Sequence, residues 1–212
     1  MKRLRNSGVG CHMINLFVGC ILFADDLALL APSRAALQKM INICYVYMSE
    51  NCLEFNTKKS KVLVFGKSYN FPNLAPLTIN DLPIEYVQEW KYLGVTLTNG
   101  TTLGFSARPN LMSFFRATNA VLNVLKGAKE HVLLSLLYTN CVPILTYAAS
   151  VKEYSASEIL DCNVAMNNAF WKIFGFKEWQ SIRILREIFN FESIYVLFKT
   201  AREVSGFMCI SP

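Results

Sequence analysis

Two adjacent carboxylates, Asp25 and Asp26, stand between two short apolar runs, Phe17 to Phe23 and Leu27 to Ala31. Apolar runs split by a small polar turn read as a β-hairpin, here with Ala24, Asp25 and Asp26 as the turn. Uncompensated charge is costly to bury, so hydrophobic strands gain no stability by holding such a pair. Hard dications such as Mg²⁺ take carboxylate oxygens and keep water or phosphate in their remaining positions. Two of them can clamp an in-line phosphoryl displacement, one activating the attacking oxygen and the other neutralising the leaving group. A hairpin suits this use because it projects carboxylates rigidly toward a cleft. Asp is also an ordinary turn residue, so Ala-Asp-Asp alone carries little weight.

The elements that must position this turn follow from local patterns. Pro32-Ser33 is a helix start with Ser33 as N-cap. Leu37, Met40, Ile41, Cys44, Tyr45 and Met48 then share one helical face, and the helix should fade near Asn51. Leu53 to Phe55 and Lys61 to Phe65 read as short strands around the polar turn Asn56-Thr57-Lys58-Lys59-Ser60. The stretch from Lys67 to Pro83 reads as loop with a strand at Leu77 to Ile79, and Tyr92 to Leu97 as a strand ending at the Asn99-Gly100 turn. Beyond Thr102 the pattern becomes helical: Phe114 to Lys129, Val132 to Ala149, Ala156 to Phe174 and Ile182 to Thr200. The expected class is α+β, with mixed structure in residues 1–100 and an all-helical region in 101–212.

In its first half the sequence resembles the reverse transcriptases of non-LTR (LINE-type) retrotransposons. The match begins at Ser7-Gly8-Val9-Gly10-Cys11-His12 and continues through Val18-Gly19 to Phe23-Ala24-Asp25-Asp26-Leu27-Ala28-Leu29-Leu30-Ala31-Pro32-Ser33. It resumes at Asn56-Thr57-Lys58-Lys59-Ser60, leads to Phe65-Gly66, and ends at Lys91-Tyr92-Leu93-Gly94-Val95. The order and spacing of these blocks is the specific signal. In the second half only Asn190-Phe191-Glu192-Ser193-Ile194 is similar enough to quote.

The resemblance implies the C-terminal part of a polymerase palm (antiparallel hairpin, helix, short strands) followed by a helical thumb-like region. It implies nucleotidyl transfer by an RNA-directed DNA polymerase, with Mg²⁺ as cofactor and an RNA template and DNA primer as partners. Asp25 would be the principal metal ligand, supported by Asp26. Phe23, with Ala24 beside it, would pack near the incoming nucleotide or primer end. Lys59 would face the nucleotide's leaving phosphates, where a cation stabilises developing charge or donates a proton. Tyr92, Leu93 and Gly94 would form the primer grip, which orients the 3′ hydroxyl.

Plainer alternatives stand beside these roles. Lys58, Lys59 and Lys61 could be a solvated cluster, and Tyr92-Leu93-Gly94 a strand with a bulge glycine. Phe170, Trp171, Phe174, Phe176 and Trp179 could stack on bases, but an aromatic-rich helical core is the reading preferred for them. Lys172, Lys177, Arg183 and Arg186 could track phosphates or merely be solvated. His12 and His131 read as packing residues.

Composition sets the outer bounds. With 53% hydrophobic and 17% charged residues the chain is globular rather than disordered. A net charge of +6 suits a polyanionic partner without requiring one. Seven irregularly spaced cysteines, no C-x-x-C pair and two histidines argue against structural zinc. Cysteines in apolar runs suit a reducing compartment, cytosol or nucleus, rather than secretion. The basic start lacks a signal-peptide cleavage site. Val132 to Val151 is about long enough to cross a bilayer, but Asn140, Pro143 and several small polar residues favour a buried helix, so no stable membrane association is expected.

The resembled site needs a further carboxylate upstream of the hairpin, together with a fingers region. With 24 residues before Asp25, the expectation is a chain with little polymerase activity of its own. Its palm edge would be exposed and prone to self-association. The competing readings are a non-catalytic nucleic-acid-binding remnant and an unrelated membrane-associated protein using Val132 to Val151.

Overall fold

The computed structural model describes residues 2–67, 75–152, 154–177 and 182–208. It is a mixture of helices and small sheets, as the α+β expectation requires. The chain divides into two compact units, Met1–Trp90 with Asn99–Leu103, and Lys91–Thr98 with Gly104–Pro212.

The first unit is organised by one helix. After α1 (Lys2–Asn6) come two antiparallel hairpins, β1 (His12–Met13) with β2 (Leu16–Phe17) and β3 (Cys20–Phe23) with β4 (Asp26–Leu29). They are stitched together by Val18 N–H to Cys11 O, Cys11 N–H to Leu30 O and Leu30 N–H to Gly19 O. Ser33 caps α2 (Arg34–Glu50) by accepting from the Ala36 N–H at 3.2 Å. Met40, Ile41 and Cys44 of α2 are buried. Met40 and Cys44 pack with Leu4, Cys20, Leu27, Leu29 and Phe55. On its other flank, Ile41 packs with Val62, Leu77, Ile79 and Ile84.

Those last residues belong to short strands. β5 (Lys61–Leu63) lies parallel to β8 (Glu85–Val87), and β6 (Thr78–Ile79) turns back on β7 (Leu82–Pro83). The Gln38 side chain both donates to Thr78 O and accepts from Thr78 N–H, each at 2.9 Å. An amide side chain thus takes the place of a neighbouring strand, leaving fewer backbone groups unpaired. Leu53 to Phe55 forms no strand; Phe55 serves as packing for α2.

β9 (Glu89–Tyr92) leads into the second unit, where β10 (Val95–Thr98) pairs with β11 (Gly104–Ser106). The sequence reads residues beyond Thr102 as helical throughout, so β11 is an addition, fixed by Leu97 opposite Phe105. The helices are α3 (Arg108–Val124), α4 (Glu130–Leu136), α5 (Val142–Thr146), α6 (Ala156–Phe174), α7 (Arg183–Ile188) and α8 (Ile194–Met208). Between α4 and α5 lies a π-helical turn, Leu137–Cys141. Pro143 has no N–H to continue the α-helical ladder, and this wider turn absorbs the defect. The expected helix Ile182 to Thr200 is broken instead, because Asn190 takes a left-handed φ of 52° and Ser193 caps α8. Ala156 to Phe174 forms as expected, with a Ser155–Glu158 capping box and Gly175 at its left-handed end.

Phe114, Leu137, Cys141, Met166, Phe170 and Ile194 form the helical core. No helix among the described residues is long and apolar enough to cross a membrane. Lys152 is anomalous in this core: it is 1% exposed, and its ammonium has no hydrogen-bond partner among the described residues. The Tyr154 ring lies 5.8 Å from the ammonium. Burial pushes the Lys152 pKa down, opposed by nearby Glu158 and Cys162.

An unsatisfied buried donor costs about 1–3 kcal/mol, so Lys152→Met is expected to stabilise the chain by about that much at neutral pH. Between the lowered folded pKa and the ordinary lysine value, the unfolded state binds more protons, so the native lysine becomes less costly as pH rises. The advantage of Lys152→Met should therefore shrink toward alkaline pH. Urea unfolding of both proteins at two pH values checks this.

Candidate nucleotidyl-transfer site

Strand pairing puts Phe23 opposite Asp26, so Ala24 and Asp25 alone form the turn and Asp26 begins β4. This shortens the expected three-residue turn by one. Two-residue connections between twisted strands need positive φ at their first residue, and Ala24 has φ 50°. A residue with a Cβ is held there at a cost of about 1–2 kcal/mol. Such strain persists only where the surrounding structure over-determines it.

Both carboxylates are exposed, so the argument from buried charge does not apply to this chain. What the structure shows instead is an apolar strand left open. Ile21, Leu22 and Phe23 are 46%, 57% and 62% exposed, on both faces of β3. Only the base of the hairpin, at Cys20, Leu27 and Leu29, enters the core. Among the described residues neither Asp25 nor Asp26 makes a salt bridge, and no group of three or more His, Cys, Asp or Glu could hold a metal. The pair fits a hard dication in donor type but falls short of a whole site in donor number.

Lys59 belongs to the same unit. Asn56 shapes its turn: the Asn56 side-chain oxygen accepts from the Lys59 N–H at 3.1 Å, and the Asn56 carbonyl accepts from the Ser60 hydroxyl at 3.0 Å. This side-chain-to-backbone bond explains the Asn at the head of the motif. Lys59 is exposed, with no ion pair among the described residues, whereas Lys61 pairs with Glu85. Phe55, one residue before the turn, packs with Leu27 and Leu29 on α2, so the turn and the hairpin share a foundation.

Leu93 and Gly94 lie in the second unit and correct the expected continuous strand. They are the two-residue turn between β9 and β10, with φ 46° and 78°. Positive φ at both positions is the signature of a type I′ hairpin turn. Tyr147, just past α5, donates its hydroxyl to Leu93 O at 2.8 Å. No sequence pattern singles it out.

The remaining candidates are mainly structural. Phe170 is fully buried and rests against Phe191. Arg186 donates to Asn163 and Asn167 at 3.2 and 2.6 Å, and Lys172 donates to Asn119 at 2.9 Å. Arg183 pairs with Glu187. Trp179 lies outside the described residues.

Comparison with known proteins places this geometry in context. Residues 9–97 match the family model described as reverse transcriptase (RNA-dependent DNA polymerase). The chain is 31% identical over 86 residues to a Retrovirus-related Pol polyprotein from type-1 retrotransposable element R2 of Nasonia vitripennis. That similarity covers 37% of this chain and 8% of the relative's length. The matched span contains Asp25, Asp26, Lys59 and Tyr92 to Gly94 together.

Because Ala24 is strained at φ 50°, Ala24→Gly should be neutral or stabilising by up to about 1 kcal/mol, the strain relief being partly offset by the flexibility of unfolded glycine. Gly94→Ala should instead destabilise, because the added Cβ would stand 2.8 Å from the Tyr147 ring at φ 78°. Denaturant midpoints of the two variants would test this opposite pair of signs.

Proposed function

We propose, from the premise that residues 9–97 are reverse transcriptase sequence of the non-LTR retrotransposon type, that this chain is the C-terminal palm and thumb-like part of an RNA-directed DNA polymerase. The observation that carries the reading is the Asp25–Asp26 pair at an exposed hairpin tip inside the matched span. In this reading Asp25 is the principal oxygen ligand for Mg²⁺ and Asp26 its support. Mg²⁺ bound there supplies activation of the primer hydroxyl and neutralisation of phosphate charge. Lys59, exposed and without an ion pair among the described residues, places a cation toward the leaving phosphates. Phe23, with Ala24, packs by the nucleotide or primer end, and Tyr92, Leu93 and Gly94 hold the primer.

Nucleic acid is the proposed partner: an RNA template paired to a DNA primer. Two carboxylates do not complete the site, so the chain alone is proposed to be inactive, and a further carboxylate must come from an additional palm segment. The exposed Ile21–Phe23 strand, paired with β4 alone among the described residues, supports such an addition. In its absence the same edge would favour self-association. Buried free thiols at Cys20, Cys44, Cys141 and Cys162 suit the proposed reducing compartment, cytosol or nucleus.

Primer extension on an RNA template tests the reading. The chain alone should give no product. Adding, in trans, the fingers and upstream palm of a non-LTR reverse transcriptase should give Mg²⁺-dependent extension that Asp25→Ala abolishes. Activity that survives Asp25→Ala would remove the metal assignment. Salt-dependent duplex binding that never yields extension would instead favour a non-catalytic binding remnant.

A further inference from the structure

The turn read above as the primer grip is poorly suited to hold itself. A type I′ turn prefers Asn or Gly at its first position, and here that position is Leu93, at φ 46°. Something outside the turn must keep it closed. Tyr147 is placed to do so. Its hydroxyl donates to Leu93 O at 2.8 Å, and its ring lies where a Cβ on Gly94 would meet it at 2.8 Å. One side chain therefore fixes the turn's carbonyl and requires glycine at its second position.

Residues on both sides of Tyr147 are buried. Leu145 and Ala149, on either side, are each 1% exposed. The end of α5 is tied down through its carbonyls: Asn110 donates to Ile144 O at 3.0 Å, and the Tyr154 hydroxyl to Leu145 O at 3.4 Å. Yet Tyr147 itself is 51% exposed. It is not a core aromatic whose hydroxyl happens to find a partner, but a surface ring whose polar end is committed to one backbone carbonyl.

We infer that Tyr147 is a positioning residue for the primer 3′ end, acting through the Leu93–Gly94 turn. This rests on the reading of Tyr92 to Gly94 as the primer grip. Orientation of the attacking hydroxyl is sensitive to displacements of about 1 Å, so a latch that removes one mode of turn motion bears directly on where the primer end sits.

The test uses the 212-residue chain and an RNA–DNA duplex whose primer carries a photoreactive base at its 3′ terminus. In the wild type, crosslinks should map to Lys91–Val95. Tyr147→Phe keeps the ring and loses the hydroxyl. It should lower crosslinking at those residues roughly five-fold, the shift expected from losing one neutral hydrogen bond, while thermal melting falls by only the few degrees that the same bond accounts for. Adding Leu93→Asn, which favours the same turn intrinsically, should restore the crosslink in the Tyr147→Phe background. Undiminished crosslinking in Tyr147→Phe, or a loss that Leu93→Asn does not rescue, overturns the positioning role and leaves the primer grip standing. Absence of crosslinks to Lys91–Val95 in the wild type overturns the primer-grip reading itself.

Discussion

Joining two twisted antiparallel strands through only two residues demands left-handed backbone at the first of them, and among the described residues this demand is met four times. The first residues are Ile14, Ala24, Asn80 and Leu93, with φ between 46° and 56°. Asn80 is the residue type the geometry favours, and Asp81 follows it at φ 61°. The other three each carry a Cβ that opposes the conformation. Two of these strained positions, Ala24 and Leu93, lie inside the segments proposed to bind metal and primer. Hydrogen-bonded strands force the backbone into place, and the side chains at the tip remain free for chemistry.

That division between a fixed base and a free tip is built by α2. Its Met40 and Cys44 face holds the foot of the β3–β4 hairpin through Cys20, Leu27 and Leu29, and holds Phe55 below the Lys59 turn. Ile41, one residue round the helix, holds the strands on the opposite flank. One amphipathic helix therefore sets the footing of both the carboxylate pair and the lysine. The Asn56 side chain then shapes the lysine turn locally through its bond from the Lys59 N–H.

Much of this was readable in the sequence because it rests on local rules. The Ser33 cap, the apolar face of α2 and the boundaries of α6 at Ser155 and Gly175 are all written within one or two helical turns of where they act. What escaped depends on partners distant in sequence. Leu93-Gly94 read as strand because Tyr92 to Leu97 is rich in strand formers, and the residue that stabilises the turn lies 54 positions away. Asn190 and Ser193 did carry local signals for breaking the last helix, but the apolar periodicity around them was stronger. Exposure of Asp25 and Asp26 could not be inferred from hydrophobic neighbours, since Ile21, Leu22 and Phe23 are themselves exposed.

That exposure changes what the apolar strand means. Strands buried on one face alternate between inward and outward residues, yet Ile21, Leu22 and Phe23 are open on both faces, directly before the carboxylates. A protein gains nothing by displaying three large apolar residues to water beside an acidic turn. The arrangement is stable here because Cys20 and α2 carry the hairpin's footing, so the tip can remain uncovered without unfolding. Covering β3 with another strand would bury Ile21 to Phe23, pair its open edge and lower the dielectric around Asp25 and Asp26. Burial that disfavours an isolated carboxylate pair becomes favourable once a dication and a further carboxylate arrive with the covering strand. One added segment would therefore answer both features: it would cover the exposed apolar strand and add a donor to the incomplete acidic pair.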